Sequence, residues 1–191
     1  ESFRILRTNL SFMSVDNPVK VIMLTSSVPH SGKTFVASNL AATLATAGSR
    51  VLLVDLDLRR RTMSKLMGHR NDRRGVTSYL TGNIESINDA IMPSEIDPNL
   101  EILFSGPQPP NPTELLMSKR MKELIESLRE RYDYIIIDSV PALAVADAMV
   151  IDRYVDHTIY VVREGNLDRS QLPDIETLYQ EKKLHNMSIL F

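Results

Sequence analysis

The apolar positions of this chain fall into short continuous runs that are bounded by polar or turn residues. Runs of this length are typical of strands that a parallel sheet buries on both faces. The predicted strands are Val19–Leu24, Val51–Val54, Leu100–Phe104, Tyr134–Ile137 and His157–Val162, and Ser188–Phe191 looks like the middle of a further strand.

Stretches with helical spacing lie between these runs, and the predicted helices are Glu1–Phe12, Thr34–Ala47, Met63–Met67, Thr113–Arg131, Ala142–Ile151 and Ser170–Lys183. In the fourth helix the apolar residues expected to face inward are Leu116, Met121, Leu124, Ile125 and Leu128. Gly68–Gly75 and the proline-rich Ser105–Pro112 are predicted loops. Strands that alternate with helices predict one α/β domain over residues 1–191, with a mainly parallel sheet flanked by helices on both faces.

Composition narrows the possible functions. The 191 residues suit one domain, and the net charge of −2 gives no sign of a nucleic-acid partner, so none is predicted. The absence of Cys excludes disulfides, cysteine zinc sites and a cysteine nucleophile. No apolar run approaches the ~20 residues of a membrane span. The first residues contain no signal peptide and no initiator Met, and we expect the chain to be part of a longer protein.

The strongest chemical signal is Ser27–Thr34, which lies between a predicted strand and a predicted helix. Gly32, Lys33 and Thr34 match the P-loop pattern G-x-x-x-x-G-K-[ST], whereas Ser27 stands at the position of the first glycine. Backbone N–H groups at a helix start bind phosphates, and a lysine and a hydroxyl supply the cation and a Mg2+ ligand. The predicted nucleotide-binding residues are Pro29, His30, Ser31, Gly32, Lys33, Thr34 and Phe35.

Acidic residues end two other predicted strands. Asp55 and Asp57 follow the second strand, and their spacing predicts that both side chains lie on the same side if the strand continues. Asp138 follows three consecutive isoleucines, which is the Walker B arrangement. Ligands of parallel sheets bind at the carboxyl ends of strands, so these carboxylates can converge on one nucleotide. Thr34, Asp57 and Asp138 are the predicted Mg2+ residues. One of the two aspartates after the second strand can instead cap the helix near Met63.

Basic residues cluster in two places. Arg59–Arg61 directly follow the acidic strand end. Two interpretations stay open for them: a solvated basic face, or contact of one arginine with a phosphate or a substrate carboxylate. Arg70, Arg73 and Arg74 lie in the predicted loop Gly68–Gly75, where a solvated face is the preferred interpretation over contact with a partner.

With these motifs the chain resembles the bacterial tyrosine kinases, a P-loop family of capsule and exopolysaccharide export. Its Walker A, Walker A′ and Walker B segments correspond to Ser26–Thr34, Val51–Arg59 and Ile135–Pro141. Glu1, Arg4 and Arg7 are similar to the family's E-x-x-R-x-x-R helix, and Asn111–Leu116 is similar to its N-P-[ST]-E-L-[LF] segment. Many relatives have Pro-Gly-Glu-Gly-Lys in the loop where this chain has Pro-His-Ser-Gly-Lys at positions 29–33.

The resemblance implies a cytoplasmic kinase domain at the bacterial inner membrane that uses ATP and Mg2+. It implies transfer of the γ-phosphoryl group to tyrosine in trans, with Lys33, Asp55 and Asp57 as catalytic residues and Asp55 as the favoured base. Glu1, Arg4 and Arg7 in helix 1–13 would join copies into a ring. Further implied partners are a C-terminal tyrosine tail and a membrane co-polymerase portion of the same protein.

Two other functions stay open at this level. A partition or septum-site ATPase shares the P-loop but carries a signature lysine five positions before the loop lysine, where this chain has Val28. A nucleotide-binding scaffold of an export complex needs most of the same residues without catalysing phosphoryl transfer.

Overall fold

The computed structural model describes residues 1–13, 18–69 and 72–191. Arg70, one of the three arginines of the predicted loop, therefore lies outside the described residues. The described strands are β1 Val21–Thr25, β2 Val51–Asp55, β3 Ile91–Pro93, β4 Leu100–Leu103, β5 Tyr134–Asp138, β6 His157–Val161 and β7 Ser188–Leu190.

These strands form one sheet in the order β3-β4-β2-β5-β1-β6-β7. Every neighbouring pair is parallel except β3 and β4, which are antiparallel at one edge. The prediction of a mainly parallel sheet is thus confirmed. In this order β5 lies between β2 and β1, which brings the carboxyl ends of these three parallel strands together.

The helices are α1 Ser2–Met13, α2 Lys33–Ala45, α3 Thr62–Leu66, α4 Val76–Leu80, α5 Pro112–Leu116, α6 Lys119–Arg131, α7 Asp147–Ile151 and α8 Leu172–Gln180. Side chains alternate across each strand, so the sheet separates two hydrophobic cores. Val21, Met23 and Val54 contribute to one core, whereas Ile22 and Leu24 contribute to the other. This two-sided burial explains why the strands are continuous apolar runs.

Some predicted elements have different bounds. The predicted helix Thr113–Arg131 is two helices, because Ser118 caps the second by accepting a hydrogen bond from the Met121 N–H at 3.2 Å. The inward apolar face predicted for this segment is nevertheless buried. The predicted helix Ala142–Ile151 is shorter and begins at Asp147. The short α4 and the edge strand β3 were not predicted, because neither is long enough to show a periodic pattern of hydrophobic positions.

The N-terminal helix α1 packs on α2. The rings of Phe3 and Phe35 meet edge to face at 5.9 Å, and Leu10 is buried against the same side of the sheet. Ile5 stays 57% exposed and is therefore outside this contact. Among the helices of the described residues, none has the length and apolar character that a membrane span requires.

Candidate active site

The candidate site lies where β1, β2 and β5 end side by side. Leu24 of β1 and Asp55 of β2 are both in register with Asp138 of β5. The loop after β1 leads into α2, and the loop after β2 leads into α3. The fold therefore brings the three predicted motifs to one edge of the sheet, as the rule for open parallel sheets requires.

Two residues of the P-loop have a left-handed backbone conformation before α2 begins at Lys33. Gly32 has φ 91° and His30 has φ 64°, both in the left-handed region. A Cβ added at Gly32 would meet no atom within 4 Å, so the glycine is required here by its conformation rather than by space in the protein. His30 carries the same kind of conformation with a side chain, at a cost of roughly 1–2 kcal/mol for an L-residue.

Lys33 points inward from the start of α2 and is only 9% exposed. Its ammonium donates a hydrogen bond to Ser26 Oγ at 3.2 Å. Burial lowers the pKa of Lys33, whereas the carboxylates of Asp138 and Asp57 oppose that shift. A desolvated cation with few hydrogen-bond partners is well prepared to bind an anionic ligand such as phosphate.

Thr34 and Asp138 are in direct contact. Thr34 Oγ1 donates to Asp138 Oδ2 at 2.6 Å, while the buried Oδ1 of Asp138 has no hydrogen-bond partner. Burial raises the pKa of Asp138 to about 7, although the hydrogen bond from Thr34 opposes the shift. An unpaired carboxylate oxygen beside a hydroxyl fits the oxygen-rich coordination that Mg2+ prefers.

The two aspartates after β2 have different surroundings. Asp55 is fully buried, accepts hydrogen bonds from the Ser64 N–H and hydroxyl at 3.2 and 2.7 Å, and so caps α3. Burial raises the pKa of Asp55 to about 6, against the lowering effect of these bonds. Asp57 accepts from the Arg60 N–H at 2.8 Å and from Thr62 Oγ1 at 3.3 Å. Because β2 ends at Asp55, the two carboxylates do not share one strand face.

A cavity of about 260 Å3 lies above these groups. Of the predicted site residues it is lined by Pro29, His30, Gly32, Lys33, Thr34, Phe35, Asp57 and Asp138, but not by Ser31 or Asp55. Ser31 is buried beneath the loop and donates to the Val28 carbonyl at 2.8 Å. Arg60 also lines the cavity. Sequence reasoning missed Arg163, although its position just after β6 follows the same strand-end rule.

Arg59 belongs to a separate ionic network beside the cavity. Its guanidinium donates to both carboxylate oxygens of Asp147 at 2.6 and 3.0 Å, and to Thr113 Oγ1 at 2.9 Å. Burial would raise the pKa of Asp147, but the hydrogen bonds from Arg59 and Thr113 outweigh it and lower the pKa. This network ties the end of β2 to the starts of α5 and α7. Arg59 therefore has a structural partner, and Arg60 is the member of the basic run that faces the cavity.

Within residues 1–13, 18–69 and 72–191, no group of three or more His, Cys, Asp or Glu side chains forms a metal cluster. A cation at Thr34 and Asp138 would therefore complete its coordination with phosphate oxygens and water, as Mg2+ does in nucleotide sites. The donor set thus fits Mg2+ that arrives with a nucleotide.

Known proteins are similar to this chain in sequence and in fold. Residues 19–162 match the protein family described as AAA domain. The tyrosine-protein kinase YwqD of Bacillus subtilis (strain 168) is 42% identical over 171 residues, which make up 90% of this chain and 71% of that protein. The tyrosine-protein kinase etk of Escherichia coli (strain K12) is 40% identical over 165 residues, which make up 86% of this chain but 22% of that protein.

Solved structures agree with the sequence comparison. The kinase domain of Escherichia coli tyrosine kinase ETK superposes with a TM-score of 0.87 at 36% identity, covering 98% of this chain and 73% of that one. The septum site-determining protein MinD from Pyrococcus horikoshii OT3, solved with Mg-ADP, has a TM-score of 0.68 at 27% identity and covers 90% of this chain and 68% of that one.

Proposed function

This chain belongs to the family of bacterial tyrosine-protein kinases, and we propose that it transfers the γ-phosphoryl group of ATP to tyrosine side chains of protein. The observation that carries the proposal is the meeting of Lys33, Thr34 and Asp138 on one cavity beneath a P-loop. In the transfer, a bond forms between the phenol oxygen and the γ-phosphorus while the bond from that phosphorus to the β–γ bridging oxygen breaks. The phenol proton passes to a carboxylate.

The protein's part is to bind the phosphates and to neutralise their charge. The N–H groups at the start of α2 and the ammonium of Lys33 would hold the phosphate oxygens. Thr34 and Asp138 would hold Mg2+, which when bound supplies charge neutralisation at the β- and γ-phosphates. Arg60 and Arg163 line the same cavity and add positive charge around it.

Two carboxylates are candidates for the proton acceptor. A phenol has a reference pKa of ~10, so a nearby base assists its attack. Asp57 is the carboxylate that lines the cavity. Asp55 has the raised pKa that suits a base, but it is fully buried and bonded to Ser64. We propose that the pair acts together, with Asp57 at the cavity wall and Asp55 behind it, where Asp55 Oδ1 accepts from the Asp57 N–H at 3.2 Å.

The activity is tested by incubating the purified chain with γ-labelled ATP, Mg2+ and a tyrosine-rich acceptor peptide. Label on tyrosine that is lost in Lys33→Met supports a kinase. Release of free phosphate without phosphotyrosine would identify an ATPase of the partition or septum-site kind. ATP binding with neither product would identify a scaffold. Either of these last two results, the ATPase or the scaffold, would refute the proposal.

We further propose assembly and regulation of the kind that the family resemblance implies. In this proposal Glu1, Arg4 and Arg7 join copies into a ring at the cytoplasmic face of the membrane, and each copy phosphorylates a neighbour's C-terminal tyrosine tail in trans. The membrane co-polymerase portion of the same protein would link this to export of capsule or exopolysaccharide. All three side chains border one surface groove on α1 and α2, which supports an interface there. Glu1, directly before α1, also pairs with Arg4 of the same chain at 3.6 Å, so this pair would have to exchange partners on assembly.

A further inference from the structure

Two positions of the P-loop that favour glycine, one by the sequence pattern and one by its backbone conformation, carry side chains in this chain. Ser27 takes the position of the first glycine, and His30 takes the left-handed position within the loop with φ 64°. A glycine would adopt that conformation without steric cost, whereas histidine requires support from its surroundings. The loop must therefore be held in shape by contacts from elsewhere in the fold.

That support comes from β6 and the turn that follows it. The hydroxyls of Tyr160, which is fully buried in β6, and Ser27 are hydrogen-bonded at 2.9 Å. After β6 the chain reverses in a turn in which the Asn166 N–H donates to the Arg163 carbonyl at 3.1 Å. Gly165 has φ 74° in this turn, as position i+2 of a type II turn requires. The turn places Asn166 against the P-loop.

Asn166 holds the loop on both sides of His30. Its side-chain amide donates to the Pro29 carbonyl at 3.2 Å and to Ser31 Oγ at 3.1 Å. These two partners are the residues directly before and after His30. A single amide group therefore fixes the two ends of the segment whose central residue has the unfavourable backbone conformation.

The same contact continues to the catalytic lysine. Ser31 Oγ, which accepts from Asn166, donates to the Val28 carbonyl at 2.8 Å, and Ser26 Oγ donates to that same carbonyl at 2.8 Å. Ser26 Oγ in turn accepts from the Lys33 ammonium at 3.2 Å. Asn166 is thus joined to Lys33 by a continuous chain of hydrogen bonds beneath the loop.

We infer that Asn166 is a positioning residue of the nucleotide site, which keeps the P-loop in its phosphate-binding shape in spite of His30. The inference rests on the proposed ATP binding and adds a residue to it. Asn166 acts through the loop, so its effect depends on the residue at position 30. With glycine at that position the loop would keep its shape without the clamp.

The test is a double-mutant cycle measured by calorimetric titration with Mg-ATP. We expect Asn166→Ala to weaken ATP binding roughly 2- to 10-fold, as the loss of hydrogen bonds of ordinary strength implies. In the His30→Gly background the same substitution should change the affinity less than about 2-fold, because the strained conformation is gone. Asn186→Ala is the matched control, since Asn186 also donates to a carbonyl, that of Asp156, at the opposite end of β6.

Different failures can be told apart in this cycle. Unchanged affinity in Asn166→Ala would overturn the inference while the proposed function stands. An equal loss in both backgrounds would also overturn it, because Asn166 would then act independently of His30. If the unaltered chain does not bind Mg-ATP at all while remaining folded by circular dichroism, the proposed function fails and the inference fails with it.

Discussion

The stability of Asp138→Asn, measured relative to the unaltered chain, should increase as the pH rises. The same substitution should abolish Mg2+-dependent activity. Burial raises the pKa of Asp138 from its ordinary 3.8 to about 7. A carboxyl whose pKa is raised on folding stabilises the fold when it is protonated, and this stabilisation is lost as the pH rises through the folded-state value. Above that pH the fold contains a buried carboxylate with one unpaired oxygen.

The magnitude follows from the pKa difference. One pKa unit corresponds to about 1.4 kcal/mol, so ionisation of Asp138 costs the fold roughly 4 kcal/mol in full. Roughly 2 kcal/mol of this cost is already present near pH 5, because the carboxyl is ionised in the unfolded chain there, and roughly 2–3 kcal/mol more develops by about pH 8. Asparagine places an amide where the unpaired oxygen lies, at a cost of ~1–3 kcal/mol that does not depend on pH. The change of the stability difference with pH is therefore the decisive quantity.

The assay is urea unfolding of both proteins without nucleotide, at about pH 5 and about pH 8, with a linear extrapolation of the unfolding free energy. The expected result is a stability difference that moves in favour of the asparagine variant by roughly 2–3 kcal/mol between the two pH values. A stability difference that does not change with pH would refute the conclusion that burial raises the pKa of the Asp138 carboxyl. In parallel, Mg-ATP should raise the melting temperature of the unaltered protein far more than that of the variant.

Four further variants test the site and the assembly. Lys33→Met should lower phosphoryl transfer by roughly 100-fold or more and weaken ATP binding, and normal phosphotyrosine formation would contradict the P-loop assignment. Asp55→Asn should lower turnover by about 100-fold with a smaller effect on ATP affinity. Ser64→Ala keeps the carboxylate and removes its hydroxyl partner, so equal turnover losses in both variants would instead show that Asp55 acts only as the cap of α3. Arg4→Ala with Arg7→Ala should abolish the oligomer in light scattering yet retain ATP binding, and an unchanged oligomer would exclude α1 as the contact.

The sequence by itself determined the layered α/β fold, because strands buried on both faces are continuous apolar runs that show the burial directly. It also located the P-loop and Asp138, since strand-end positions of a parallel sheet must converge. The family membership followed from the same motifs. These features depend on local sequence and on a general rule of sheet topology, and neither requires knowledge of side-chain packing.

Only the tertiary structure separated Asp55 from Asp57, because β2 ends at the first of them and the chain then turns. The sequence spacing suggested a shared face, whereas the fold buries Asp55 against Ser64 and leaves Asp57 at the cavity. The support of the P-loop by Asn166 was equally invisible, since Asn166 and Ser31 are 135 residues apart. Such contacts follow from which strands become neighbours, and no local pattern in the chain specifies the side chains that then meet.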